Sequence, residues 1–190
     1  MFTPLFEHIR KFASLTQEEE LLLSEKLKIQ TFKKKDFLLK EGKLCTANHF
    51  VVHGCLRMFA TTDDGLEQIV HFGVDNWWLT DYMTLGSGKT TEMNIQAVEE
   101  TKVIVFEFKY QDELFNQIPS LEKYFRVILQ KAYAAALMRT KYIFTQSGEE
   151  RFRHFNSLFP DFVQRVPQYM LASYLGFTPE FLSKIRAKKL

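Results

Sequence analysis

The last two dozen residues constrain the fold of this chain most strongly. With Gln168 taken as the first position, the small residue Ala172 occupies the fifth position and Gly176 the ninth. Apolar residues follow at the fifteenth and eighteenth positions, Leu182 and Ile185. A small fifth residue lets a second helix cross close to the first, and glycine readily adopts the left-handed conformation that ends a helix. The spacing therefore predicts two short helices joined by a tight turn.

The second of these helices begins with two residues suited to a helix start. The Thr178 hydroxyl can cap the free backbone N–H groups, and Pro179 fits the first helical position, where no amide hydrogen is needed. The outer face then carries Glu180, Ser183, Lys184 and Ala187. This arrangement predicts a helix-turn-helix whose second helix enters the DNA major groove. An ordinary αα-hairpin inside a core is the alternative.

The distribution of charge favours a polyanionic partner. The whole chain carries a formal net charge of only +2, but residues 151–190 contain seven Lys or Arg against two acidic residues, a balance of +5. A basic end on a nearly neutral body is typical of nucleic-acid-binding proteins.

The remaining composition bounds the class of protein. Two cysteines, Cys45 and Cys55, are too few for a disulfide scaffold or a four-thiolate cluster. The start lacks the pattern of a signal peptide, and no stretch approaches the ~20 apolar residues of a membrane span. We therefore expect a cytoplasmic protein.

The middle of the chain predicts an all-β domain between helical segments, and hence an α+β fold. A capping box at Thr16–Glu19 opens a helix through about Lys28. Short β-rich runs then alternate with Gly or Asp-Gly turns, as in a barrel or jelly roll. The predicted strands are 37–39, 50–52, 56–59, 68–72, 94–98 and 102–108, with the 63–65 turn as a hairpin.

A helix of some 25 residues, from about Ser120 to Thr145, is predicted after a short helix over 111–118. It is apolar on two sides, so it must be covered by two partners. The barrel can supply one, and a twofold-related copy is the expected second. Small residues allow a close approach of helices. The predicted dimer interface consists of Phe125, Ile128, Ala132, Ala135 and Ala136.

The order of these modules resembles the Crp/Fnr family of bacterial transcription regulators. Similar stretches are 37–42, 50–54 and 64–67 in the barrel, together with the helix-turn-helix. The ending Leu182–Arg186 is similar to the short members common in Bacteroidetes. The resemblance implies a cyclic-nucleotide-binding-like double-stranded β-helix (1–118), a dimerisation helix (119–146) and a DNA-binding domain (147–190). The chain ends without the β-hairpin wing that usually follows, so we expect a helix-turn-helix without a full wing.

The resemblance also locates an effector pocket. In cyclic-AMP-binding members, a phosphate cassette supplies Gly-Glu for the ribose and Arg-Ser for the phosphate. Here Asp81 takes the ribose position, Thr91 takes the Arg position, and Glu92 would repel a phosphate. We therefore expect no cyclic-AMP binding of the usual kind, and the effector is unknown. The predicted pocket residues are Leu79, Thr80, Asp81, Tyr82, Thr90, Thr91, Ala136 and Leu137.

The resemblance further implies palindromic operators and a possible contact with RNA polymerase. Glu180 and Lys184 match the acidic and basic base-reading positions, and the basic residues after them suit phosphates. The predicted DNA-binding residues are Gln168, Thr178, Pro179, Glu180, Ser183, Lys184, Arg186, Lys188 and Lys189.

A cupin-like metal protein is the alternative function. Its metal ligands would come from His49, His53 and His71, although the close His-x-His pair is absent. Trp77 and Trp78 are predicted to seal the barrel rather than to stack a ligand. The sequence contains no nucleophile–base–acid set, so we expect no enzyme.

Overall fold

The computed structural model describes residues 1–187. These residues form two compact units. The first comprises 1–60 and 71–129, and the second comprises 61–70 and 130–190. The boundary therefore falls within the long helix, and the tip of one hairpin belongs to the second unit.

The first unit begins with helices α1 (Thr3–Arg10) and α2 (Gln17–Lys26). The predicted capping box is confirmed, because the Glu19 N–H donates to Thr16 Oγ1 and the Thr16 N–H donates to Glu19 Oε2. The predicted extent through Lys28 is wrong by two residues. Leu27 and Lys28 already belong to strand β1 (Leu27–Phe32), where pairing with β8 and burial of Leu27 outweigh helix propensity.

Eight strands confirm the predicted jelly roll. After β1 they are β2 (Phe37–Leu39), β3 (Ala47–His53), β4 (Cys55–Thr61), β5 (Glu67–Val74), β6 (Trp78–Leu79), β7 (Met93–Ala97) and β8 (Thr101–Glu107). They form two four-stranded sheets with the orders β1-β8-β3-β6 and β2-β7-β4-β5. Strand β5 is thus an edge strand.

Alternating side chains divide the interior of the first unit into two cores. Val51, Leu56, Ile95 and Val103 belong to the apolar cluster that fills the space between the sheets. The alternate residues of β3 and β8, such as Phe50 and Ile104, pack with α1, α2 and the first turns of the long helix.

A buried tyrosine joins the second of these cores. Tyr124 is fully buried, and its hydroxyl accepts a hydrogen bond from Trp78 Nε1 at 2.7 Å and bonds His8 Nδ1 at 2.7 Å. Burial raises the pKa of Tyr124 above its ordinary value, so it remains a neutral phenol. The expected sealing role holds for Trp78, whereas Trp77 is more exposed and lies against His71.

A 3₁₀ turn (Phe108–Tyr110) and helix α3 (Gln111–Gln117) lead into α4 (Pro119–Thr145). The second unit continues with α5 (Gly148–Leu158), α6 (Pro160–Arg165), α7 (Gln168–Leu175) and α8 (Pro179–Ala187). Helix α6 was not predicted, because Pro160 reads as a stop signal although it also suits a first helical turn. None of the helices within residues 1–187 is both long and apolar enough to cross a membrane.

Candidate nucleic-acid interface and sensor cassette

The turn between α7 and α8 has the predicted geometry. Gly176 lies in the left-handed region with φ of 79°, and the Phe177 N–H donates to the Ala172 carbonyl at 3.0 Å. Ala172, Leu182 and Ile185 are all buried in one cluster. The small fifth residue and the glycine at the ninth position thus serve the roles expected of them.

Helix α8 starts as predicted and exposes its outer face. The Thr178 hydroxyl accepts the Phe181 N–H at 3.2 Å, and Pro179 is the first helical residue. Hydrogen bonds from its own backbone N–H and from Thr178, with the nearby Lys184 cation, lower the pKa of the Glu180 carboxyl. At neutral pH the outer face therefore presents a carboxylate beside an ammonium group. The exposed predicted residues are Gln168, Thr178, Pro179, Glu180, Ser183, Lys184 and Arg186. Lys188 and Lys189 lie outside the described residues.

The preceding helices hold this motif in place. Arg151 donates to the carbonyls of Ile143 and Gln146 at 3.2 and 2.9 Å, and its guanidinium lies 5.6 Å from the centre of the Phe177 ring. It therefore connects the end of α4 to the turn. Gly148 lies close to α8 at the start of α5, and an added Cβ would lie 2.5 Å from Phe181 Cε1, so the Phe181 ring would have to move.

Comparisons with known proteins agree with this geometry. Residues 29–117 match the model of the cyclic nucleotide-binding domain. The transcriptional activator protein Anr of Pseudomonas aeruginosa is 29% identical, with 90% of this chain and 75% of Anr covered. A proposed transcriptional regulator of the Crp/Fnr family from Eubacterium rectale has the same fold, with a TM-score of 0.67 at 15% identity over 90% of this chain and 82% of that one. The chain thus contains a match to the cyclic nucleotide-binding domain and is similar to a transcriptional activator over 90% of its length.

A second solved structure shares the fold of this chain. The structure of FixK2 from Bradyrhizobium japonicum superposes with a TM-score of 0.69 at 16% identity, covering 85% of this chain and 83% of FixK2. At this identity the likeness concerns the fold alone.

The side chains of the predicted cassette, residues 79–91, bond to one another. Asp81 is buried, and its carboxylate accepts hydrogen bonds from the Met83 N–H at 3.0 Å, from the Thr91 hydroxyl at 2.7 Å and from the Thr84 hydroxyl. The Thr80 hydroxyl donates to the Ala47 carbonyl at 2.8 Å. The two side chains that the resemblance assigns to the ribose and phosphate-clamp positions, Asp81 and Thr91, thus bond to each other.

The other predicted pocket residues are dispersed. Leu79 is buried between the sheets, whereas Tyr82 and Thr90 are exposed. Ala136 and Leu137 are exposed residues of α4 in the second unit. A buried cation does exist in the first unit, but it lies on β4, where the Arg57 guanidinium donates twice to Gln96 Oε1. Sequence reasoning missed it because alternation alone places Arg57 on either face of a sheet.

This cassette should not bind cyclic AMP or cyclic GMP more tightly than roughly millimolar. Asp81 and Thr91 would have to exchange their mutual bond for the ligand, and Glu92 adds an exposed carboxylate beside the phosphate position. Isothermal calorimetry with each nucleotide measures this directly. A variant with Thr91→Arg and Glu92→Ser is the positive comparison, since it restores the cationic clamp. A micromolar constant for the unmodified protein would contradict the expectation.

The three histidines of the metal alternative have separate partners. His49 is buried, bonds the Leu79 carbonyl, and has its pKa lowered to about 4 by desolvation. His53 bonds Asp75 at 3.2 Å, and His71 lies against Trp77. Within residues 1–187 no group of three His, Cys, Asp or Glu side chains is arranged to hold a metal ion.

The long helix presents an apolar stripe to solvent. Leu129, Tyr133, Ala136, Leu137 and Phe144 recur at helical spacing on one face, and all are exposed; the Phe144 side chain is 82% exposed. An exposed row of large apolar side chains on one face marks an interaction surface.

The predicted interface residues fall only partly on this stripe. Phe125 is buried in the first unit, where its ring stacks on Phe106 at 5.6 Å, so the structure does not support it at a dimer interface. Ile128 packs against the same core. Ala132 and Ala135 are exposed, but Ala135 lies two heptads after the buried Leu121 and flanks the stripe. Ala136 is the one predicted residue that lies within it.

Proposed function

We propose that this protein is a transcription regulator that binds inverted-repeat DNA sites as a homodimer. One observation carries the proposal. The turn of the α7–α8 motif is fixed by buried residues, while Glu180 and Lys184 stand exposed on the first two turns of α8. A carboxylate can accept a hydrogen bond from a cytosine amino group, and an ammonium group can reach a guanine or a phosphate.

The apolar stripe of α4 supports the dimer. Covering such a row with an equivalent row removes the apolar surface of both from water, which is favourable. A twofold axis presents the same surface from both protomers. Two recognition helices related by that axis can enter successive major grooves about 34 Å apart, which requires an operator with dyad symmetry.

The three segments have distinct roles in this proposal. Residues 1–118 form the sensor, 119–146 the dimerisation helix and 147–190 the DNA-binding part. The hydrogen bonds within the cassette favour an effector other than a cyclic nucleotide. Arg186, with the predicted Lys188 and Lys189, serves DNA phosphates without reading sequence, and a contact with RNA polymerase completes the regulatory role.

Replacement of Glu180 by alanine should relax base preference at one position in each half-site. Loss of a good carboxylate–cytosine contact reduces discrimination by about 1–3 kcal/mol. Binding selection on random DNA duplexes, followed by titration of the selected sites, measures both symmetry and preference. Glu122→Ala removes an equally exposed carboxylate from the first turn of α4 and serves as the charge-matched control.

Two results would contradict the proposed mode of DNA binding. The first is a set of selected sites without dyad symmetry. The second is an unchanged preferred sequence for the Glu180→Ala variant, whereas the control is expected to select the parental sequence.

A further inference from the structure

The outer edge of β5 is bound by the first helix of the DNA-binding motif. Edge strands leave backbone N–H and C=O groups without a strand partner. Here the Ile69 N–H donates to Ser173 Oγ at 2.9 Å, and the Ser173 hydroxyl donates to the Glu67 carbonyl at 3.1 Å. The Gln68 side-chain amide donates to the Ser173 carbonyl at 2.6 Å. Ser173 of α7 therefore supplies hydrogen bonds to residues 67–69 that a neighbouring strand would otherwise provide.

An arginine of the long helix strengthens the same junction. The Arg139 guanidinium donates to the Val70 carbonyl at 2.6 Å and to the Tyr174 carbonyl at 2.7 Å, and lies 4.2 Å from the centre of the Tyr174 ring. The planar fork suits two acceptors at once. Arg139 thus links β5, α7 and α4, and all these groups belong to the second unit.

We propose that Ser173 and Arg139 form a clamp that positions the helix-turn-helix relative to α4, and that this clamp sets the spacing between half-sites that the dimer accepts. The inference rests on the proposed function. Helix α4 carries both the apolar stripe and Arg139, so the clamp fixes the recognition helix relative to the dimer axis. A rigid connection favours the one spacing that it matches, whereas a loose connection tolerates several.

Ser173 and Arg139 are positioning residues, since neither lies on the outer face of α8. The sequence pattern of α7 and α8 does not predict the clamp. In that pattern Ser173 is an ordinary half-exposed helix residue, and Arg139 is a cation on a long helix. Only the approach of β5 supplies the backbone groups that they bind.

The test compares Ser173→Ala and Arg139→Lys with the unmodified protein. The first removes the hydroxyl, and the second keeps the charge but loses the two-pronged geometry. Ser157→Ala is the matched control, because the Ser157 hydroxyl only bonds the local His154 carbonyl. Binding is titrated on the selected inverted repeat, on repeats with one or two base pairs added or removed between half-sites, and on a single half-site.

The unmodified protein and the control should prefer the selected spacing. In each clamp variant, the ratio of the affinity for the selected spacing to the affinity for altered spacings should fall about fivefold, the effect of one typical hydrogen bond. The affinity for a single half-site should stay unchanged. Equal weakening on every spacing and on the half-site would indicate a purely structural role and would overturn the proposal.

Hydrogen exchange of the Ile69 amide, measured without DNA, separates this proposal from the proposed function. Exchange should accelerate in Ser173→Ala but not in Ser157→Ala. An unchanged rate in Ser173→Ala would overturn the clamp even if DNA binding is normal. Accelerated exchange in a protein that selects no inverted repeat would overturn the role in spacing together with the proposed function, while the clamp contact itself would stand.

Discussion

Replacing Ala136 with glutamate is expected to convert the protein from a dimer into a monomer. Ala136 lies midway along the length of the exposed stripe of α4, one turn after Tyr133. In a twofold interface the substitution places two carboxylates close together in an apolar contact. An uncompensated buried charge costs about 3–5 kcal/mol, so the dissociation constant should rise by at least ~100-fold. Sedimentation velocity across a range of protein concentrations measures the change.

Ala134→Glu is the matched control for this experiment. Ala134 is also an exposed alanine of α4, but it is two residues away and hence about 160° around the helix. It should leave the dimer intact. If Ala136→Glu sediments as a dimer, or if both variants dissociate alike, the stripe is not the interface. A monomer should also lose most of its affinity for an inverted repeat while keeping its affinity for a half-site.

The Gly54→Ala substitution is expected to destabilise the first unit severely. Gly54 lies between β3 and β4 with φ of +117°, a conformation that L side chains rarely adopt. An added Cβ would lie 2.6 Å from Thr101 Cα and 2.8 Å from the Glu100 carbonyl oxygen. These contacts are with backbone, which cannot rotate away. Strain and overpacking together should reduce the free energy of unfolding by about 3–5 kcal/mol.

Gly42→Ala is the comparison variant, because it places a side chain at a positive φ without a close contact. Gly42 also has a positive φ of +78°, but an added Cβ would meet no atom within 4 Å. Its cost should therefore be only about 1 kcal/mol. Urea denaturation followed by circular dichroism compares the two variants. Equal midpoints would show that the close approach of Thr101 does not constrain the turn in solution.

The hydrogen bonds within the cassette also limit which ligands could bind at this position. Asp81 and Thr91 stabilise the loop by bonding each other, so a ligand at this position must offer groups that replace those bonds. An anion gains nothing from Asp81. A ligand with hydrogen-bond donors, or with a positive charge, would suit the carboxylate better than a cyclic phosphate does.

Local patterns in the sequence were sufficient to predict where helices begin and end, wherever one residue type fits one backbone conformation. Gly176 predicted the end of α7, Thr178 and Pro179 predicted the start of α8, and the capping box predicted the start of α2. These predictions are confirmed because caps and left-handed turns depend on a few consecutive residues. The alternation of short strands and turns likewise predicted the jelly roll.

Assignments that depend on distant partners could not be read from the sequence in the same way. Periodicity marks two apolar sides of α4, but it does not say which partner covers each side. Phe125 was therefore placed at the dimer interface, although the core between β3, β8 and the helices of the first unit buries it. The resemblance assigned Asp81 to the ribose position, yet the burial of Asp81 and its bond to Thr91 depend on how the loop folds back.

The sequence by itself therefore determined the order of the modules, the helix-turn-helix and the exposed positions of Glu180 and Lys184 on α8, because these follow from short-range spacing and helix geometry. Only the tertiary structure decided that Asp81 accepts a hydrogen bond from Thr91, that the apolar stripe containing Ala136 is exposed, and that Ser173 and Arg139 bind the edge of β5. The physical reason is that the partners of these side chains are backbone and side-chain groups far along the chain, which the fold alone brings within hydrogen-bonding or packing distance.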